Sequence, residues 1–114
     1  MPNYSKSDIL LVRYPFTDLT GNKVRPAVVV HAPHSSQDSF IVPLTSQLGT
    51  LQAGEFVLAD WSNAGLNVQT AIKRGIYTIH PSLIVKFIGK LSAKDSQHLE
   101  SSLREWLGHN NVQR

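Results

Sequence analysis

This chain of 114 residues contains five histidines and no cysteine. Without cysteine there can be no thiolate nucleophile, disulfide scaffold, iron–sulfur cluster or cysteine-ligated zinc. The histidines are the first candidates for acid–base work. His31 and His34 are separated by two residues but straddle Pro33 in a predicted loop. His80 precedes Pro81 and reads as a turn residue, while His98 and His109 fall on or after a terminal helix. No two of them form an evident catalytic or metal-binding pair. Arg25 offers different chemistry: its planar fork of donors suits phosphate oxygens. Pro26 would hold it at the start of a rigid strand. A guanidinium is a standing cation, which suits it to stabilising charge rather than accepting a proton. The plainer reading is an ion pair with Asp18. An unbroken strand from Arg25 to His31 puts both on one face, yet about 20 Å apart at strand rise, too far to share one phosphate. The Thr45 and Ser46 hydroxyls can donate to a phosphate or simply close a turn. Lys73 and Arg74 are adjacent, so on a strand they face opposite sides, one able to meet an anion and the other solvated or paired. Phe16, in a polar loop, either stacks on a base or plugs one end of the fold.

The elements that must position these residues are short. Asp8–Tyr14 is a β-rich run ended by Pro15. Residues 17–23, Thr-Asp-Leu-Thr-Gly-Asn-Lys, are turn chemistry. Pro26–His31 carries Val28-Val29-Val30, the strongest strand signal. Pro33–Asp38 reads as a loop. Ser39–Leu44 and Glu55–Asp60 read as further strands, as do Thr70–Ile79, with a break at Gly75, and Ser82–Gly89. Ser92 with Asp95 three residues on resembles a capping box. Leu99, Leu103, Trp106 and Leu107 then form one helical stripe, with Gly108 as the stop. Trp106 is assigned to the core, and Trp61 to the core or a dimer contact. Lys86 and Lys90 read as surface charges. Many short strands plus a terminal helix predict a mainly β fold, a small antiparallel barrel or strongly bent sheet.

Length and composition fit one globular domain over 1–114, with 41% hydrophobic and 17% charged residues. The opening Met-Pro-Asn-Tyr-Ser-Lys-Ser-Asp has no apolar run behind a basic segment, so no secretory signal is expected. No stretch approaches the roughly 20 apolar residues of a membrane span. These features point to the cytoplasm. The net charge of +3 is uneven. Residues 1–57 balance four cations against four anions, and 58–114 hold seven against four. Such an excess permits a polyanionic partner without demanding one.

Four pieces in order resemble a known family: Tyr14-Pro15-Phe16-Thr17-Asp18-Leu19-Thr20-Gly21 followed by Arg25-Pro26-Ala27-Val28-Val29-Val30; then Val42-Pro43-Leu44-Thr45-Ser46-Gln47; then Trp61 with Gly65-Leu66; and finally Ile88-Gly89-Lys90-Leu91-Ser92. Together they are similar to the MazF/PemK toxins of type II toxin–antitoxin systems. The resemblance implies a compact SH3-like barrel with a C-terminal helix and a homodimer. It also implies cleavage of single-stranded RNA, chiefly mRNA, without metal or cofactor. It places the catalytic arginine on Arg25 and the active-site hydroxyls on Thr45 and Ser46. It implies RNA contacts from Pro15, Phe16, Thr17, Asp18 and Lys23 of a mobile loop and from Gln47; Lys73 and Arg74 are expected as further RNA contacts on their charge alone. A cognate antitoxin would compete for the groove, operator DNA would be bound only by the toxin–antitoxin complex, and no membrane is involved. Two departures stand out. Ser7-Asp8 replaces the family's usual Gly-Asp, and Asn67-Val68-Gln69-Thr70 replaces a Leu-Lys-Pro-Ser run. The barrel also carries gyrase poisons, so a non-enzymatic toxin and a degenerate RNA- or antitoxin-binding member are the alternatives.

Overall fold

The computed structural model describes residues 4–13, 24–31 and 38–108. The loop expected from Pro15 to Lys23, most of that from Pro33 to Asp38, Tyr14 and the tail from His109 lie outside the described residues. Three strands form an antiparallel meander: β1 (Asp8–Arg13), β2 (Val24–His31) and β3 (Ser39–Thr45). Four shorter or later strands complete the sheet: β4 (Phe56–Val57), β5 (Ala71–Ile72), β6 (Tyr77–Ile79) and β7 (Ile84–Lys90). Helix α1 (Ala93–Trp106) ends the fold. The strand order is β4-β5-β3-β2-β1-β7, with β6 also paired to β3.

β3 divides its outer edge between two partners. Ser39–Ile41 pair with β6, and Leu44–Thr45 pair with β5. Pro43 sits at the changeover, where its missing N–H leaves no ladder bond unmade; its carbonyl accepts from the Lys73 amide at 2.9 Å. The sheet bends there, and both of its faces are buried. Ile9, Val28, Val42 and Leu44 meet Phe56, Leu58, Ile72 and Leu99 of α1 on one face. Leu10, Val12, Ala27, Val29 and Ile41 meet Ile79 on the other. Two buried faces explain why β1 and β2 read as unbroken apolar runs rather than alternating ones. Each such Val, Leu, Ile or Phe side chain contributes about 1.5–3 kcal/mol.

The run Glu55–Asp60 is a strand only at Phe56–Val57. Beyond it the amides of Ala59 and Asp60 donate to the buried Asp95 carboxylate instead of a ladder. Thr70–Ile79 is split into β5 and β6 by Gly75, whose φ is 146°. Lys73 and Arg74 therefore lie beyond β5 and not on opposite faces of a strand. Ser82–Gly89 starts late because His80 caps a single 3-10 turn at Pro81–Leu83, its Nδ1 accepting from the Ser82 amide. Ser92 caps α1 as expected, its Oγ accepting from the Asp95 amide at 3.1 Å. Trp106 is half-buried at the core's edge rather than within it, because its Nε1 donates to the Ala53 carbonyl. Trp61 packs, partly buried, against the same core.

The turn over residues 61–66 lies backbone-to-backbone on β7. A Cβ at Gly89 would stand 2.0 Å from the Ala64 carbonyl oxygen. We expect Gly89→Ala to destabilise the fold by about 1–3 kcal/mol in denaturant unfolding. Gly49→Ala, with nothing within 4 Å of the new Cβ, serves as its control. Equal midpoints for the two variants would show that the turn yields without cost.

Candidate active site

A cleft of about 570 Å³ opens where the N-terminal end of β2 meets the C-terminal end of β3. That volume lies within the range of about 300–1,000 Å³ usual for ligand clefts. Its walls are Val24, Arg25 and Pro26 of β2, the stretch from Leu44 through Gln47, and Leu66, Asn67, Val68 and Thr70 of the loop before β5. β2 and β3 pair with Ala27 opposite Pro43. Continuing that register two residues outward sets Arg25 across from Thr45. Residues twenty positions apart thus line one cleft. A smaller groove of about 190 Å³ runs beside α1, lined by Val29, Val30, Leu99, Leu103 and Leu107 and by Ser7 and Ser96, whose hydroxyls are bonded to each other.

Arg25 is exposed and makes no ion pair with a described carboxylate. Its one side-chain hydrogen bond among the described residues goes to the neighbouring Val24 carbonyl at 3.4 Å. Asp18, its expected partner in the plainer reading, lies outside the described residues. Thr45 does close a turn, since its Oγ1 accepts from the Gln47 amide at 3.0 Å. That bond uses a lone pair and leaves the hydroxyl proton free to donate. Ser46 and Gln47 are exposed beside it. Thr70 is different: its hydroxyl is committed to the Val68 carbonyl at 2.8 Å. Among the described lining residues there is neither a carboxylate nor an imidazole. Nor do the described residues bring together three histidines or acids that could hold a metal ion.

Of the residues singled out in the sequence, the cleft brings together Arg25, Thr45, Ser46 and Gln47. Pro15, Phe16, Thr17, Asp18 and Lys23 are outside the described residues. Lys73 and Arg74 are not on the cleft walls. They converge on Glu55, whose carboxylate accepts from the Gln52 and Arg74 amides at 2.8 Å and lies 4.0 Å from the Lys73 ammonium. The Glu55 side chain is 2% exposed. Burial pushes its pKa up, but the two amides and the Lys73 and Arg74 charges outweigh burial and hold it below the ordinary 4.5. Ionised Glu55 therefore stabilises the fold at neutral pH, and that contribution is lost as pH falls through the depressed value. Glu55→Gln should cost about 1–3 kcal/mol at pH 7. The gap to the parent should narrow steadily below about pH 4.5 in paired unfolding curves. A gap independent of pH would remove the carboxylate's charge from the account.

The family model for the PemK-like, MazF-like toxin of type II toxin–antitoxin systems matches residues 5–107. The chain belongs to this family. No curated protein sequence matches it. Solved structures similar to it include an endoribonuclease from a mycobacterial species, at TM-score 0.72 and 14% identity, covering 98% of each chain. Mycobacterium tuberculosis toxin MazF-mt6 matches at TM-score 0.68 and 18% identity, over 89% of this chain and 96% of that one. A mycobacterial endoribonuclease in complex with its cognate antitoxin matches at 0.68 and 16%, over 90% and 93%. The strongly bent sheet with its C-terminal helix is thus the MazF fold. In this MazF-like chain no described helix is long and apolar enough to cross a membrane.

Ser7, at the position of the family's usual glycine, has φ 80°, a conformation that favours glycine. Its Oγ is hydrogen-bonded to the Ser96 hydroxyl, and its amide and carbonyl are tied to Val29 and Leu91. Three bonds hold the serine in a backbone shape it would not choose alone.

Leu66, Asn67 and Val68 of the cleft were not among the named site residues, although the resemblance sets the run 67–70 at the border of the RNA groove and dimer interface. The available signal was Gly65, which has φ 94° and turns the chain so that the next residues face β2.

Proposed function

We propose that this MazF-like chain is an endoribonuclease that cleaves single-stranded RNA, mRNA in the cell, at selected sites. The observation that carries this reading is Arg25, exposed and without an ion-pair partner among the described residues, on the wall of the same open cleft as Thr45 and Ser46. In the reaction a 2′-oxygen bonds to the adjacent phosphorus, its proton leaves to solvent or a base, and the bond to the 5′-oxygen breaks. The 5′-oxygen takes up a proton. The products are a 2′,3′-cyclic phosphate and a 5′-hydroxyl, and no metal is needed. Arg25 holds two phosphate oxygens and stabilises the charge of the phosphorane. The Thr45 and Ser46 hydroxyls donate to the same group, with Gln47 beside them. Pro15, Phe16, Thr17, Asp18 and Lys23 remain proposed RNA contacts on the family's pattern, and Lys73 and Arg74 on their charge.

The remaining parts of the reading follow the family. The toxin acts in the cytoplasm as a homodimer and is neutralised by a cognate antitoxin, in keeping with the antitoxin complex of a similar structure. Operator DNA is bound by the toxin–antitoxin complex alone. The test is incubation of the purified protein with a long unstructured RNA in excess EDTA, with the new ends mapped. Discrete cuts bearing cyclic-phosphate ends support the reading. A folded protein that makes no cuts points to a toxin that acts by binding.

A further inference from the structure

The cleft does not end at Pro26. A second compartment of about 360 Å³ shares Pro26, Leu66 and Asn67 with it and runs on to Lys86, Phe87 and Ile88 of β7. The register explains the continuity: Leu11 of β1 pairs with Pro26 on one side and with Lys86 on the other. Two strand spacings of about 4.8 Å set Lys86 roughly 10 Å from Pro26. β7 ends the strand order, and its pairing with β1 shifts register twice, so strand alternation fails there. Val85, Lys86 and Phe87 are exposed in succession, and Phe87 is 52% exposed. Lys86 makes no ion pair with a described carboxylate, whereas Lys90, on the same strand, is held by Asp8 at 2.7 Å. An aromatic face, an uncommitted cation and the Asn67 amide thus border one groove that leads from Arg25.

We infer that this second compartment is a nucleotide subsite, in which Phe87 stacks on a base flanking the scissile step, Lys86 meets a phosphate and Asn67 bonds a base edge. The inference rests on the endoribonuclease reading and extends it to selectivity. An aromatic stack is sequence-tolerant, because every base has a π-face. The amide of Asn67 can both donate and accept, so it supplies discrimination.

The probe is an oligonucleotide spanning a mapped cut, with a 2′-deoxy residue at the cleaved step so that it binds without reacting. Phe87→Ala should weaken its binding about 5- to 150-fold with little change in salt dependence. Phe87→Trp should retain the affinity. Lys86→Ala should lower the salt slope by about one. An abasic substitution at one flanking position should weaken the parent protein but cost Phe87→Ala nothing further. If the parent cuts RNA while folded Phe87→Ala binds and cuts equally well, the subsite is wrong and the nuclease reading stands. If Phe87→Ala changes the sedimentation of the protein but not its RNA affinity, this face belongs to a protein interface and the subsite is again wrong. If the parent neither cuts nor binds RNA, both readings fall together.

Discussion

Replacing Arg25 by alanine should lower RNA cleavage at least about 100-fold, a loss of roughly 2.7 kcal/mol or more in transition-state stabilisation, as when an oxyanion donor is removed. The argument has two parts. Among the described residues of the cleft wall Arg25 is the one cation, so stabilisation of developing negative charge falls chiefly to the guanidinium. The same guanidinium does little for the fold. It is exposed, and its one side-chain hydrogen bond among the described residues, to its neighbour's carbonyl, is long at 3.4 Å. Its removal should shift stability by less than about 0.5 kcal/mol. A large loss of activity beside an unchanged unfolding curve is therefore the expected pattern, read from cut-site mapping and denaturation on the same preparation. Arg25→Lys keeps the charge but loses the fork, and should fall between parent and alanine. Undiminished cleavage by folded Arg25→Ala would take Arg25 out of the mechanism.

Asp95→Ala should cost about 3–5 kcal/mol of stability, enough to unfold a domain of ordinary stability. The Asp95 carboxylate is 2% exposed. Its two oxygens accept from the Ala59 and Asp60 amides at 2.8 and 2.9 Å. It also sits in the first turn of α1, where the helix dipole favours an anion. Alanine leaves both amides without an acceptor and removes a charge that the dipole stabilises. Asp95→Asn is the sharper probe. One amide oxygen can satisfy one donor, while the NH2 group meets the other donor head-on. It should lose an intermediate amount, about 1.5–3 kcal/mol. Denaturant midpoints at constant slope give both values. A loss under 1 kcal/mol for Asp95→Ala would mean that water reaches the two amides readily.

Asp95 also shows where reading along the chain stops. Its spacing from Ser92 marks a helix start, and Ser92 does cap α1. In a local capping box the third-position side chain reaches back to the cap's own amide. Here it reaches across the molecule to residues 59 and 60, and so ends the strand that the apolar run Phe56–Leu58 promised. The strand pattern was sound, but a tertiary acceptor took its donors. Lys73 and Arg74 teach the same lesson. As a sequence pair they read as phosphate contacts; folding adds a buried carboxylate, Glu55, that accepts from the Arg74 amide and lies 4.0 Å from the Lys73 ammonium. Nothing within a few residues of either could have shown that.

The sequence by itself determined the class of fold, the central meander, the terminal helix with its cap, and the membership implied by four motifs in order. It could do so because those features rest on local rules: β-branched runs, proline stops, helical spacing and a serine cap. It also singled out Arg25, Thr45, Ser46 and Gln47, because the family motifs carry them on strand ends. Only the tertiary structure decided that Arg25 stands opposite Thr45, through a register set twenty residues apart. Only it made Asn67 a wall of the same cleft, and joined that cleft to Lys86 and Phe87 across β1. The physical reason is that side-chain proximity in a sheet follows from strand order and register. Those are chosen by burial of the whole core and not by any one stretch of chain.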